Sequence, residues 1–326
     1  MRMIRKLAIV CAATVLASSI AHAVENGLFP TTLGPEGMQH LNIPPPGVYA
    51  INYTNYYTAS QVNDNDGNKI KGLNADIDVL VNATRFLNYY DFANVDDNRF
   101  GVLSDVTLPF GYVDSTVGGN STNQFGLADI IVNPLSFYWK KGDWFNVGFS
   151  PSFTTLPTGR WQRNEPVNLG RNYFSWQPSV AYTFILGGKL DISGRARYIY
   201  NFTNNDGAIS AVNPTGANYE SGNLFAWDFA VGYAITDKLE LAVNGYWLTQ
   251  LTDDEIHGST ASNTVLQDVL DGNRVKLFAL GPAIGYDLGP VRLYAQWQHQ
   301  FESENTAQGD SFWLRLATRL HPYAKD

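Results

Sequence analysis

The feature that most limits what this chain can fold into is a two-residue alternation that recurs from residue 47 onward, joined by connections whose lengths also alternate. In 189–201, Leu190, Ile192, Gly194, Ala196, Tyr198 and Tyr200 interleave with Asp191, Ser193, Arg195 and Arg197. Leu239, Leu241, Val243 and Trp247 stand in the same relation to Lys238, Glu240, Asn244 and Tyr246, and Phe312, Leu314, Leu316 and Leu320 to Trp313, Arg315 and Arg319. Successive side chains leave a strand on opposite faces, so each segment has one apolar and one polar face. Twelve segments read this way: 47–58, 73–88, 99–110, 124–139, 143–155, 173–186, 189–201, 222–235, 238–250, 273–288, 290–301 and 311–323.

The connections sharpen the reading. Lys140-Lys141-Gly142, Leu186-Gly187-Gly188, Thr236-Asp237 and Leu288-Gly289 are tight turns after the fourth, sixth, eighth and tenth segments. Long polar stretches, 156–172, 202–221 and 251–272, follow the fifth, seventh and ninth. Short turns on one rim and long loops on the other are what an outer-membrane barrel produces, and an even strand number fits it. The stretch 91–98 stands out as a longer turn on the short-turn rim, and 59–71, 111–123 and 302–310 complete the expected external loops.

Composition decides which face looks outward. With 44% apolar, 13% aromatic and 16% charged residues and 29 Gly, the chain is no disordered polyelectrolyte. Beyond the first two dozen positions it offers no apolar run of helical membrane length. Trp, Tyr and Phe gather at the ends of the apolar faces, as in the interfacial girdles of a membrane barrel. The fold expected is therefore all-β, an antiparallel transmembrane β-barrel of about twelve strands with its apolar face toward lipid. A lipocalin-like soluble barrel needs only about eight strands.

Residues 1–23 read as a secretory signal peptide, with Arg2, Arg5 and Lys6, an apolar stretch from Leu7 to Leu16, and Ala21-His22-Ala23 before the cut. Three of the 22 basic residues, none of the 30 acidic ones and the single Cys11 leave with it, so the mature charge is −11. That balance argues against a nucleic-acid partner. Segment 24–46, rich in Pro and Gly, either enters the barrel as a plug or hangs in the periplasm; residues 47–323 form the barrel.

Alternation assigns Asp76, Asp78, Asn82, Arg195, Arg197, Arg292, Gln296, Gln298, Arg315 and Arg319 to the lumen. Asp76, Asp78, Arg195, Arg197, Arg292, Arg315 and Arg319 are the candidates for a polar constriction. Catalytic chemistry is sparse. His257-Gly258-Ser259 has a His and a Ser close together but lies in a loop, and Gly309-Asp310-Ser311 lacks the nucleophile elbow of a hydrolase. His40, His257, His299 and His321 are not paired at ligand spacing, and Asp64-Asn65-Asp66-Gly67-Asn68 lacks the terminal Glu of a calcium loop. No cofactor is expected. Asp253, Asp254 and Glu255 suggest external carboxylates facing lipopolysaccharide through divalent cations.

Leu108-Pro109-Phe110-Gly111, Phe125-Gly126-Leu127-Ala128-Asp129 with Pro134, Leu156-Pro157-Thr158-Gly159, and Asn168-Leu169-Gly170-Arg171-Asn172 followed by Trp176 and Pro178 carry a resemblance. So do Glu25-Asn26-Gly27 and Pro44-Pro45-Pro46-Gly47. In order and spacing the chain resembles the bacterial "MetA-pathway of phenol degradation" outer-membrane family, which includes proteins linked to the sphingosine response. It departs from the family in Ala128, where Gly is frequent, and in continuing past Tyr323. The resemblance implies an outer-membrane location, lipid and lipopolysaccharide as surroundings, and uptake of small hydrophobic or aromatic compounds; it supplies no site residues. A lipid-sensing or structural barrel and an outer-membrane hydrolase are the alternatives. The Gly and Asn residues of 156–172 fit an ordered external loop that folds inward, or simple turns.

Overall fold

The computed structural model describes residues 24, 25, 29–39, 41–165, 167–268 and 270–323; the expected signal peptide and His40 lie outside them. The wall is built from β1 (Gly47–Val62), β2 (Ala75–Val95), β3 (Asn98–Val117), β4 (Asn120–Leu127), β5 (Ile131–Lys141), β6 (Phe145–Ser150), β7 (Thr154–Thr155), β8 (Ser175–Trp176), β9 (Ser179–Leu186) and β10 (Leu190–Asn201). After a two-residue external strand, β11 (Tyr219–Glu220), come β12 (Leu224–Ala234) and β13 (Leu239–Gln250). The external pieces β14 (Glu255–Ile256) and α1 (Thr260–Asp268) precede β15 (Lys276–Asp287), β16 (Val291–Glu304) and β17 (Ala307–Pro322). Among the described residues no helix is long and apolar enough to cross a membrane.

All pairings are antiparallel, and the ring closes through β1 on β17 and β3 on β5. Twelve staves result, because β4 with β5, β6 with β7, and β8 with β9 each form one interrupted stave. Proline accounts for two of the interruptions: Pro151 follows β6, and Pro178 separates β8 from β9. A proline has no N–H to give a ladder, so pairing stops there.

Alternation does what the sequence promised. Leu80, Phe86, Phe110, Val231, Leu241, Val243, Phe312 and Leu314 are exposed on the outer wall, while Arg85, Asp105, Arg195, Arg197, Asp228 and Arg315 are buried within. An apolar band facing out and polar groups hidden inside is stable only where lipid replaces water around the wall.

Three loop expectations need correction, one of them 302–310, where β16 runs to Glu304 and β17 starts at Ala307, so that only Asn305-Thr306 turns. The stretch 91–98 is a two-residue turn, Asp96-Asp97, because β2 and β3 stay paired to Val95 and Asn98. The stretch 111–123 is mostly strand, since β3 and β4 extend as a hairpin closed by Gly118-Gly119. The error at 111–123 has a physical basis: Tyr112, Asp114 and Thr116 on the outer face alternate with buried Val113, Ser115 and Val117, so both faces mix polar and apolar residues and the contrast fades although the ladder continues.

Three lumen assignments are also corrected. Asp76, Asp78 and Asn82 share the outer face of β2 with Leu80 and Phe86, while Ile77, Ala83, Arg85, Leu87 and Tyr89 point in. Asp78 accepts from the Tyr56 hydroxyl at 2.6 Å on that outer surface. Asn82 exchanges amide hydrogen bonds with Asn52 across β1 and β2, at 3.0 Å each way. Alternation read with its polar residues inward assigns them to the lumen, but they share their face of β2 with exposed Leu80 and Phe86 and stand outside.

Candidate permeation site

Residues 29–39 and 41–46 run inside the lumen, packed against inward side chains of its walls. Phe29 and Leu33 pack on the inward Ile199, Leu224, Ala226, Leu248 and Leu277 of one wall. Met38 packs on Ala230, Ala283 and Tyr294, and Leu41 and Ile43 on Leu87, Leu103, Tyr138 and Ala181 of the opposite wall. Apolar anchors at both ends thus fix a segment that lacks ladder hydrogen bonds along its length.

Polar bonds hold its middle. The Gly34 amide donates to Asp228 at 2.8 Å, and Gln296 and Gln298 donate to the Gly34 carbonyl at 3.3 and 3.1 Å. Gly34 has φ +88, a conformation that glycine takes without strain and other residues rarely adopt, and a Cβ there would lie 2.1 Å from Gln298 Oε1, so that amide would have to move. Arg315 donates to the carbonyls of Pro35 and Met38 at 3.3 and 2.8 Å.

Glu36 is the centre. Its Oε1 lies 2.5 Å from Arg85 and accepts from the Tyr53 hydroxyl at 2.6 Å, and its Oε2 lies 3.2 Å from Arg195. Arg85 is held in turn by Asp105 through two parallel hydrogen bonds of 2.9 Å, the bidentate geometry a guanidinium favours. Arg197 pairs with Asp228 and donates to Thr31 at 2.5 Å. Wall and plug are therefore joined by a buried network of alternating charge.

Two cavities meet at this network. The one toward the external loops, about 350 Å³, is lined by Val79, Val81, Ile131, Phe153, Leu169 and Trp313 among others. The second, about 500 Å³, opens toward the turn rim and is lined by Ile51, Leu87, Leu103, Tyr138, Arg292 and Arg319 among others. Glu36, Tyr53, Arg85 and Arg195 line both. The arrangement is two chambers with one charged partition.

Of the candidates read from the sequence, Arg195 and Arg197 stand at the partition and Arg315 grips the plug. Arg292 lies 3.2 Å from Glu240 beneath it, and Arg319 donates to the Pro46 carbonyl at 2.6 Å at the turn rim. Asp76 and Asp78 take no part. Sequence reasoning missed Glu36, Tyr53, Arg85, Asp105 and Asp228. Arg85, Leu87 and Tyr89 occupy alternate positions, and that shared parity was the available signal for Arg85; Glu36, on a segment without periodicity, offered none.

The loop 156–172 is ordered by Asp129, which accepts from the amides of Gly159 and Arg171 at 2.8 and 3.0 Å and lies 3.0 Å from the Arg171 guanidinium. Gly159 and Gly170 pack back to back, since a Cβ on Gly159 would lie 2.7 Å from the Gly170 Cα. This turns Val167 and Leu169 into the upper cavity. Above the barrel, Tyr219, Ile256 and Leu266 of β11, β14 and α1 form a small cluster. Asp254 accepts there from Tyr219, Gly222, Gln250 and Asn273 at 2.6 to 2.9 Å, and burial pushes its carboxyl up to about 6. Nearby, Glu25 accepts from Asn204 at 2.7 Å and from the Ala208 amide, and burial pushes it up to about 8.

Among the described residues, the two hydrolase candidates read from the sequence have other partners. His257 lies beside Glu220 and Glu255, while the Ser259 hydroxyl donates to Ser262. His299 pairs with Asp310 on the outer wall, whereas Ser311 points inward on the same strand. Among the described residues no three His, Cys, Asp or Glu side chains cluster as metal ligands.

A closed, plugged ring with an apolar exterior defines an outer-membrane β-barrel, and the outer membrane is its location. The chain belongs to the family described as "Putative MetA-pathway of phenol degradation", whose model matches residues 59–316. It is similar in fold to the COG4313 outer membrane channel from Pseudomonas putida F1, with 18% identity, a TM-score of 0.72, and coverage of 89% of this chain and 100% of that one. The beta domain of the Bordetella autotransporter BrkA aligns at 11% identity and TM-score 0.48, covering 85% of this chain and 100% of that one. A Pseudomonas aeruginosa FadL homologue aligns at 10% and 0.41, covering 93% and 99%. Neither of these last two carries an argument. A comparison with curated proteins found no match.

Proposed function

We propose that the protein is a passive channel for small hydrophobic or aromatic compounds across the outer membrane. One observation carries the reading: apolar side chains, Val79, Val81, Ile131, Phe153, Leu169 and Trp313 among them, make up much of the wall of an upper cavity of about 350 Å³ that ends on the charged partition. A general hydrophilic pore gains nothing from such a sleeve, whereas an apolar solute of pocket size does. The solute enters past the Asp129-ordered loop, occupies the upper chamber, and reaches the lower one when the segment bearing Glu36 shifts. The solved channel from Pseudomonas putida and the family description support this reading. Gradient-driven flow needs no cofactor, and lipid and lipopolysaccharide are the only standing partners the account requires.

Uptake of labelled aromatic and long-chain compounds by cells with and without the gene tests it. Loss of uptake in cells lacking the gene is expected. Intact uptake with a weakened envelope would instead favour a structural barrel.

A further inference from the structure

The partition contains an imbalance that bears on what the channel carries. The barrel wall supplies three guanidinium groups there, and two have carboxylates on the wall: Arg85 has Asp105, and Arg197 has Asp228. Arg195 has none. Its wall partner is the Ser179 hydroxyl at 3.1 Å, and the carboxylate beside it, at 3.2 Å, is Glu36 of the plug. Its side chain is 4% exposed. A buried guanidinium without a counter-ion is costly, so the plug cannot leave Arg195 unless another anion arrives.

The surroundings describe that anion. The Arg195 guanidinium lies 4.3 Å from the Phe153 ring centroid, and Phe153 belongs to the upper chamber with Val79, Val81 and Leu169. An apolar sleeve thus ends on a cation whose carboxylate is borrowed. We propose that the solute class is apolar monocarboxylates, aromatic or short-chain acids, whose carboxylate replaces that of Glu36 on Arg195 and Arg85. The exchange conserves charge: one carboxylate arrives as another is released, and the plug is freed by substrate rather than by chance. A neutral solute fills the sleeve but leaves Glu36 in place, and a cation meets three arginines. This inference rests on the channel reading and narrows it.

The test is equilibrium binding of labelled phenylbutyrate and phenylbutanol to the purified chain in a non-ionic detergent at neutral pH. The two differ in the carboxylate and share the ring and chain. In the wild-type chain the acid gains only the net of its exchange with Glu36, whereas in Glu36→Gln, where no carboxylate competes, it should bind about tenfold tighter than the alcohol or more, the worth of a charge-assisted bond. Glu36→Gln should tighten the acid further, and Arg195→Gln should bring the ratio close to one. Acid binding that is no tighter to Glu36→Gln than to the wild-type chain, or an acid-to-alcohol ratio that Arg195→Gln leaves unchanged, overturns the carboxylate assignment and leaves the channel reading standing. If neither binds and cells take up neither, the channel reading falls and this inference with it.

Discussion

Replacing Glu36 with Gln removes one charge from the middle of the plug and alters almost nothing in size. Glutamine can keep a neutral hydrogen bond to Tyr53 or to one arginine, but the charge-assisted bonds to Arg85 and Arg195 are lost. Breaking a fully buried ion pair costs about 3 to 5 kcal/mol. Here Arg85 keeps Asp105, and glutamine keeps a neutral hydrogen bond to the partition, so the plug should be loosened by about 2 kcal/mol. That corresponds to roughly a thirtyfold rise in the open-to-closed ratio. Single-channel recording of the purified chain in planar bilayers reads the ratio directly. A ratio unchanged within about threefold would show that the latch does not hold the plug, and the two-chamber mechanism would fail.

Three further outcomes follow from the same geometry. Gly34→Val, at φ +88 and against Gln298, should displace the plug and raise conductance while the barrel keeps its strand spectrum by circular dichroism; an unchanged current would contradict the close approach. Asp76→Asn with Asp78→Asn should leave ion preference in bilayer recordings unaltered, because both side chains stand on the outer surface; a shift would restore them to the lumen. Asp254 rises on folding from 3.8 to about 6, so its neutral form is favoured in the fold. Its contribution, up to about 3 kcal/mol, is present below pH of about 4 and is lost as pH rises through about 6. Hydrogen-exchange protection of Tyr219, whose amide donates to the Asn204 carbonyl and not to Asp254, corrected for intrinsic rates, should fall across that window in wild type and stay level in Asp254→Asn; protection that rises instead would refute the sign.

The wall was legible in the sequence because lipid outside and polar lumen inside enforce a strict period of two, as in Arg195 and Arg197 against Tyr198 and Tyr200. The same rule misassigned Asp76 and Asp78, since it assumes lipid beyond the outer face and β2 runs past the lipid. Asn82 failed differently: its amide is satisfied laterally by Asn52, so the wall tolerates it. The plug was legible only as an aperiodic stretch. Glu36 finds its partners at Arg85 and Arg195, 49 and 159 residues away, and nothing local encodes a contact of that range.

The most direct test of the central claim is a crystal structure of the chain soaked with a brominated aromatic compound, located by the anomalous signal of bromine. The account predicts bromine inside the barrel, between Val79, Phe153 and Leu169. Bromine found only along the outer wall, with the interior empty, would contradict it.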